Sequence, residues 1–141
     1  MTVQRCYVDT SIFAYALGGE HAERAPSRRV VELATAGELE LHASVEMLQE
    51  LLHHRMRRVD RDAALRQVRA VRDLCVLHPF DTTVLERALE LVATTSVRGR
   101  DAVHAATALL HGLPTLLSSD TDFDAVPALT RVRPADLERN G

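Results

Sequence analysis

The sequence predicts an α/β domain with a central, mainly parallel sheet covered by helices on both faces, a three-layer α/β/α arrangement. Three observations lead there. Short apolar runs of β-type residues recur along the chain, and one or two helical patterns separate most of them. The chain has 141 residues, about the size of one domain, and no repeat, linker or low-complexity segment divides it, so residues 1–141 are expected to form a single domain. Strands separated by helices need crossover connections, and crossovers make parallel neighbours.

Each element has a local reason. Residues 5–8 form a first β-type run that stops at Asp9. Residues 12–17 give a brief helix closed by Gly18-Gly19. Pro26-Ser27 opens a helix through Ala36, and Gly37 stands just past its end, where glycine accepts the left-handed conformation. Leu39 and Leu41 alternate with Glu40 and His42, the pattern of a short half-exposed strand. Ser44 is a good N-cap for a helix to about Arg58 whose apolar stripe is Val45, Leu48, Leu52 and Met56. Asp60 or Asp62 starts another helix to Asp73, followed by a β-type run over 74–77 that His78-Pro79 stops. Asp81, or a threonine behind it, caps a helix to about Thr94. Asp101 begins a helix rich in small residues, which Gly112 ends and Pro114 keeps from continuing. Residues 115–117 and 130–133 are the last two β-type runs.

Composition excludes several chemistries. Seventeen cations against 20 acids give 17 − 20 = −3, so the chain is not a basic coat for nucleic acid. All 17 cations are Arg and none is Lys, which removes Schiff-base enzymes, P-loops and Lys-switched receiver domains. Aromatic residues make up 4%, too few for base-stacking platforms. Cys6 and Cys75 lack any CxxC or Cys/His zinc spacing and read as buried thiols. Neither a signal peptide nor an apolar run long enough to cross a bilayer is present, so a cytoplasmic protein without membrane association is expected.

Acids collect where a parallel sheet forms sites, at the carboxyl ends of strands. Asp9 closes the first strand and Asp120 follows the 115–117 run, in Ser118-Ser119-Asp120-Thr121-Asp122-Phe123-Asp124. If both strands are central and parallel, these acids emerge on one edge. Asp101 opens its helix next to them in chain logic, although taken singly each of these aspartates also reads as a turn or N-cap residue. Glu50 lies off the apolar stripe of its helix, beside Glu46, His53 and Arg57, so periodicity alone places it on the solvated face and does not choose it over Glu46. Carboxylates about 4 Å apart repel by roughly 4 kcal/mol at an effective dielectric of 20. Four converging acids therefore imply a divalent cation, and oxygen-only donors select Mg²⁺ or Mn²⁺.

The residues carry a resemblance. Tyr7-Val8-Asp9-Thr10-Ser11-Ile12-Phe13 is similar to the opening of PIN-domain nucleases, and Ser44 followed six residues later by Glu50 resembles their second acid segment. Arg100-Asp101-Ala102-Val103-His104-Ala105-Ala106 resembles the third and Ser118-Ser119-Asp120-Thr121-Asp122-Phe123 the fourth, in the family's order along nearly the whole chain. The length suits the VapC-type toxins of bacterial toxin–antitoxin pairs. The resemblance implies a PIN-like fold and a Mg²⁺- or Mn²⁺-dependent endoribonuclease that cleaves RNA with metal-activated water and is silenced by an antitoxin. Asp9, Glu50, Asp101 and Asp120 match the acidic quartet. The metal ligands implied are Asp9, Asp101, Asp120 and Asp122, and Ser11 and Ser118 match hydroxyl positions beside them. The family also implies a homodimer. A non-catalytic PIN-like module binding RNA or protein is the alternative, and the intact acid pattern argues against it.

Arg98 and Arg100 flank Gly99 immediately before Asp101, where a guanidinium could hold an RNA phosphate. Seven Arg lie between Arg55 and Arg72, read either as a phosphate-tracking surface or as two solvated helix faces. His104 follows Asp101 by one turn and reads first as a packed or surface histidine. Phe123 reads as a core anchor. Ile12, Phe13, Leu48, Leu51 and Leu52 serve the core, an antitoxin or a second subunit.

Overall fold

The structure, a computed structural model, describes residues 3–137. Five strands, β1 (Gln4–Val8), β2 (Leu39–Ser44), β3 (Cys75–His78), β4 (Thr115–Leu117) and β5 (Thr130–Val132), alternate with six helices. These are α1 (Thr10–Leu17), α2 (Arg24–Thr35), α3 (Val45–Met56), α4 (Arg61–Leu74), α5 (Thr82–Thr94) and α6 (Gly99–Leu110). The strands form one sheet in the order β3-β2-β1-β4-β5, with every pairing parallel. The expected three-layer α/β/α architecture is thus the one observed.

Two cores cover the two faces of the sheet. Cys6, Val8, Leu41, Ala43 and Leu117 pack with Ile12 and Phe13 of α1, Val30 of α2, Met47 and Leu51 of α3 and Val71 of α4. Tyr7 and Leu116, alternating with them along the strands, pack with Val84, Ala88 and Leu91 of α5, with α6 and with Phe123. Residues 102–108 of α6 are all buried, and four of them are Ala, which lets the helix pack closely on several sides.

The chain runs outward from β1 through β2 to β3, then returns to place β4 on the other side of β1. That reversal opens a crevice at the carboxyl ends of β1 and β4, where open α/β sheets place their sites.

Local signals fixed most boundaries. Ser44, Asp60 and Asp81 cap α3, α4 and α5 by accepting backbone N–H groups of Glu46, Ala63 and Val84. Gly37 and Gly112 follow α2 and α6 with φ of 78° and 65°, values that cost a side-chain-bearing residue steric strain. Several expectations need correction. α1 and α2 begin two residues earlier than expected, at Thr10 and Arg24. β2 runs on to Ser44, and His42 is buried rather than half-exposed. The cause is tertiary: α2 packs on one face of β2 and α6 on the other, which buries the strand beyond Glu40. Cys6 and Cys75 are free. Both register with Leu41 on the strand between them, two strand spacings or about 10 Å apart, too far for a disulfide.

Candidate active site

The apolar face of α3 is not the expected stripe. Met47, Leu51 and Arg55 are buried, whereas Val45 and Met56 are exposed and Leu48 and Leu52 half-buried. The buried face is turned by roughly a quarter of the helix circumference, which brings Glu50 to its border. The Glu50 side chain is 13% exposed, so the solvated-face reading of periodicity fails there. The choice between Glu50 and Glu46 is made by contacts. Thr10 Oγ1 donates to Glu50 Oε2 at 3.0 Å, and Glu50 Oε1, itself buried, faces His104 Nε2 at 3.3 Å. Burial works to raise the Glu50 pKa, but the His104 imidazole, the Thr10 hydroxyl and the Arg100 charge outweigh it, and the net shift is downward.

Asp9 stands at the N-cap position of α1 but does not cap it. Its carboxylate is engaged instead by two hydroxyls: Ser11 Oγ donates to Oδ1 at 2.6 Å and Ser118 Oγ to Oδ2 at 2.7 Å. Burial pushes its pKa up, opposed by those hydroxyls and by His104. Ser118, the first residue after β4, also accepts the Asp120 N–H at 3.0 Å.

Asp101 is the third residue of α6, whose N-cap is Arg98 rather than Asp101 itself. Asp101, Asp120 and Asp122 each bring one carboxylate oxygen within 4.8 Å of the others. Burial, and next the Asp120 charge, push the Asp101 carboxyl up to about 6, with Asp9 and Asp122 adding to the effect and His104 opposing it. The turn that delivers Asp120 and Asp122 is a short 3-10 helix, Thr121–Ala125, closed by the Asp122 N–H donating to Asp120 Oδ1 at 2.9 Å and anchored by fully buried Phe123. The neighbouring Asp124 is turned to Arg131, which donates to it at 2.9 and 3.3 Å, and takes no part.

Three half-buried or exposed carboxylates with only oxygen donors suit a hard divalent cation. The carboxylate charge of Asp120, Asp9 and Asp122, which adds to burial in raising Asp101, is what such an ion would neutralise. Arg98 and Arg100 are exposed at the mouth of α6. Of the seven Arg in 55–72, six are exposed and Arg55 is buried against Gln67.

The sequence profile of the PIN domain matches residues 6–129. The chain belongs to the PIN-domain family. This PIN domain is 30% identical over 129 residues to ribonuclease VapC13 of Mycobacterium tuberculosis, covering 89% of this chain and 97% of that protein. It is 32% identical over 130 residues to ribonuclease VapC7 of the same organism, covering 90% of each. Among solved structures, the PIN fold here resembles a toxin–antitoxin complex from Klebsiella pneumoniae, with a TM-score of 0.72, 20% identity and coverage of 94% of this chain and 99% of that one. It also resembles VapC20 of M. tuberculosis, a sarcin–ricin loop cleaving toxin, with a TM-score of 0.71, 22% identity and coverage of 85% and 93%.

Sequence reasoning missed Thr10, Tyr7 and His104 as neighbours of the acids. A Tyr two residues before Asp9 points to the opposite face of the sheet from Cys6 and Val8, and a His one turn after Asp101 lies on its helix face. Both signals were in the sequence, but neither says what the side chain meets.

Proposed function

We propose that this PIN domain is a single-domain endoribonuclease, the toxin of a toxin–antitoxin pair, that hydrolyses RNA phosphodiester bonds with Mg²⁺ or Mn²⁺. The observation that carries the reading is the convergence of Asp101, Asp120 and Asp122 beside Asp9 at the switch point of the sheet, in a chain 30% identical to a named VapC ribonuclease. Asp101, Asp120 and Asp122 would hold the ion together with Asp9, whose oxygens keep lone pairs free after accepting from the two serines. When bound, a divalent ion supplies an acidified water and charge stabilisation at a phosphate undergoing in-line displacement. Ser11 and Ser118 hold the Asp9 carboxylate in one orientation. Glu50, kept ionised at neutral pH, accepts a proton from the attacking water. Arg98 and Arg100 hold the RNA backbone at the entrance. The partners of this reading are RNA, an antitoxin and a second copy of the chain. Among the described residues no helix is long and apolar enough to cross a membrane.

The test compares purified wild type with Asp9→Asn on total RNA, with Mg²⁺ or Mn²⁺ and then with EDTA, with folding checked by circular dichroism. Discrete cleavage that needs both the metal and Asp9 is the expected result. Full activity of folded Asp9→Asn, or of wild type in EDTA, overturns the reading, and absence of cleavage on every RNA favours a binding module.

A further inference from the structure

A line of hydrogen-bonding groups crosses the core beneath the site. It starts at the Ser44 backbone N–H, which donates to Tyr7 Oη at 3.1 Å. Tyr7 Oη lies 2.6 Å from His104 Nδ1, and His104 Nε2 lies 3.3 Å from Glu50 Oε1. The line is closed to water, with Tyr7 0% and His104 2% exposed. It begins and ends on one element, because Ser44 caps α3 and Glu50 lies six residues along it; between them it passes through β1 and α6.

Its direction follows from which groups can donate. The Ser44 N–H is a donor only, so it occupies a lone pair of the Tyr7 oxygen. The Glu50 carboxylate is an acceptor only; its buried Oε1 makes no hydrogen bond, and His104 Nε2 stands 3.3 Å from it. A carboxylate oxygen left bare in the interior costs about 1–3 kcal/mol or more, so the imidazole proton belongs on Nε2. Nδ1 is then an acceptor and takes the Tyr7 hydroxyl proton. The Thr107 hydroxyl, also near Tyr7, has its own proton committed to Val103 O at 2.7 Å.

We infer that His104 is a positioning residue for Glu50, held in its Nε2–H tautomer by Tyr7, so that Ser44, Tyr7 and His104 together fix the orientation of the Glu50 carboxylate. The inference rests on the nuclease reading for what Glu50 does, but the hydrogen-bond direction stands apart from it. Thr10 holds Oε2 by a hydrogen bond, and His104 Nε2 stands 3.3 Å from Oε1 in ion-pair contact, so each carboxylate oxygen has a neighbour on the protein side. Groups that orient a reacting carboxylate in this way typically carry 10- to 100-fold in activity when removed.

Two measurements test it on the full chain. In the wild type without RNA, long-range ¹H–¹⁵N correlation of the His104 ring should show a proton on Nε2 and a bare Nδ1; a bare Nε2, or protons on both nitrogens, overturns the inference. In RNA cleavage, Gln at position 104 can still present an N–H where Nε2 was, whereas Asn mimics only the Nδ1 side. His104→Gln should therefore keep kcat within about 3-fold of wild type, while His104→Asn and His104→Leu lose about 10- to 100-fold in kcat with KM for RNA nearly unchanged. Equal losses for His104→Gln and His104→Asn, with both folded by circular dichroism, overturn it. If the wild type cleaves no RNA, the nuclease reading falls, and the ring spectrum still decides the direction of the chain.

Discussion

Ser118 and Asp9 are 109 positions apart in sequence, yet the Ser118 hydroxyl donates to Asp9 Oδ2 at 2.7 Å. The bond spans the switch point of the sheet, from the end of β4 to the end of β1, and is buried. A hydrogen bond to a charged group is worth about 1.5–3 kcal/mol. Ser118→Ala should lower stability by that order at pH 7, measured by urea unfolding in EDTA. A change below roughly 0.5 kcal/mol, the scatter of a surface substitution, would show that the bond contributes nothing.

Asp101 makes the metal-free protein sensitive to pH in a particular direction. Its carboxyl is raised from 3.8 to about 6 in the folded chain, so between those values the native state holds a proton that the unfolded chain releases. Stability from this group is therefore present at low pH, falls as pH rises through that window, and is fully lost above about 6. The group is half-exposed, so the loss is about 1 kcal/mol after allowance for solvent screening. In EDTA the wild type should weaken relative to Asp101→Asn as pH goes from 4 to 7, read as the difference in their unfolding midpoints. A constant difference across that range would contradict the shift.

Adding the cation should reverse that trend. If Asp101, Asp120 and Asp122 hold Mn²⁺ as proposed, the ion would neutralise them only when they are ionised, so its stabilisation of the wild type should grow as pH rises toward 7. Asp122→Asn should weaken Mn²⁺ binding at least 10-fold by calorimetry while preserving the circular dichroism spectrum. Binding as tight as wild type would remove Asp122 from the ligand set.

Phe123 joins the acidic turn to the core. It is fully buried among the α5–α6 core residues while its neighbours Asp122 and Asp124 are exposed. Phe123→Ala should cost about 3–5 kcal/mol and weaken Mn²⁺ binding as well, since the turn that presents Asp120 and Asp122 loses its anchor. Thermal melts and metal titrations report the two effects separately, and a destabilised variant with unchanged Mn²⁺ affinity would show that the turn holds itself.

Arg100 offers a test of the proposed RNA contact. If its guanidinium neutralises one phosphate, Arg100→Ala should raise KM for RNA and reduce the slope of log affinity against log salt by about 0.7–0.9. An unchanged slope would leave Arg100 with only its electrostatic effect on Glu50.

Much of this was legible locally. Short apolar runs stopped at Asp9, His78-Pro79 and Ser118 marked three strands and the alternation at 39–42 a fourth, and Ser44, Asp60, Asp81, Gly37 and Gly112 marked helix ends through chemistry that acts within four residues. The alternation of strands and helices then required parallel neighbours, and parallel strands place the residues that follow them, Asp9 and Ser118, on one edge. So the sequence by itself determined the layered fold and which edge bears the acids. It did not determine which face of α3 is buried. Val45 and Met56 are as apolar as Met47 and Leu51, and only the packing of α1 and α4 against α3 selected the latter pair. That rotation brought Glu50 in from solvent. The Tyr7–His104 pair, 97 positions apart, and the convergence of Asp101 with Asp120 and Asp122 depend likewise on how whole elements dock. Caps and propensities act over one helical turn, whereas these contacts form only once the two cores have closed on the sheet.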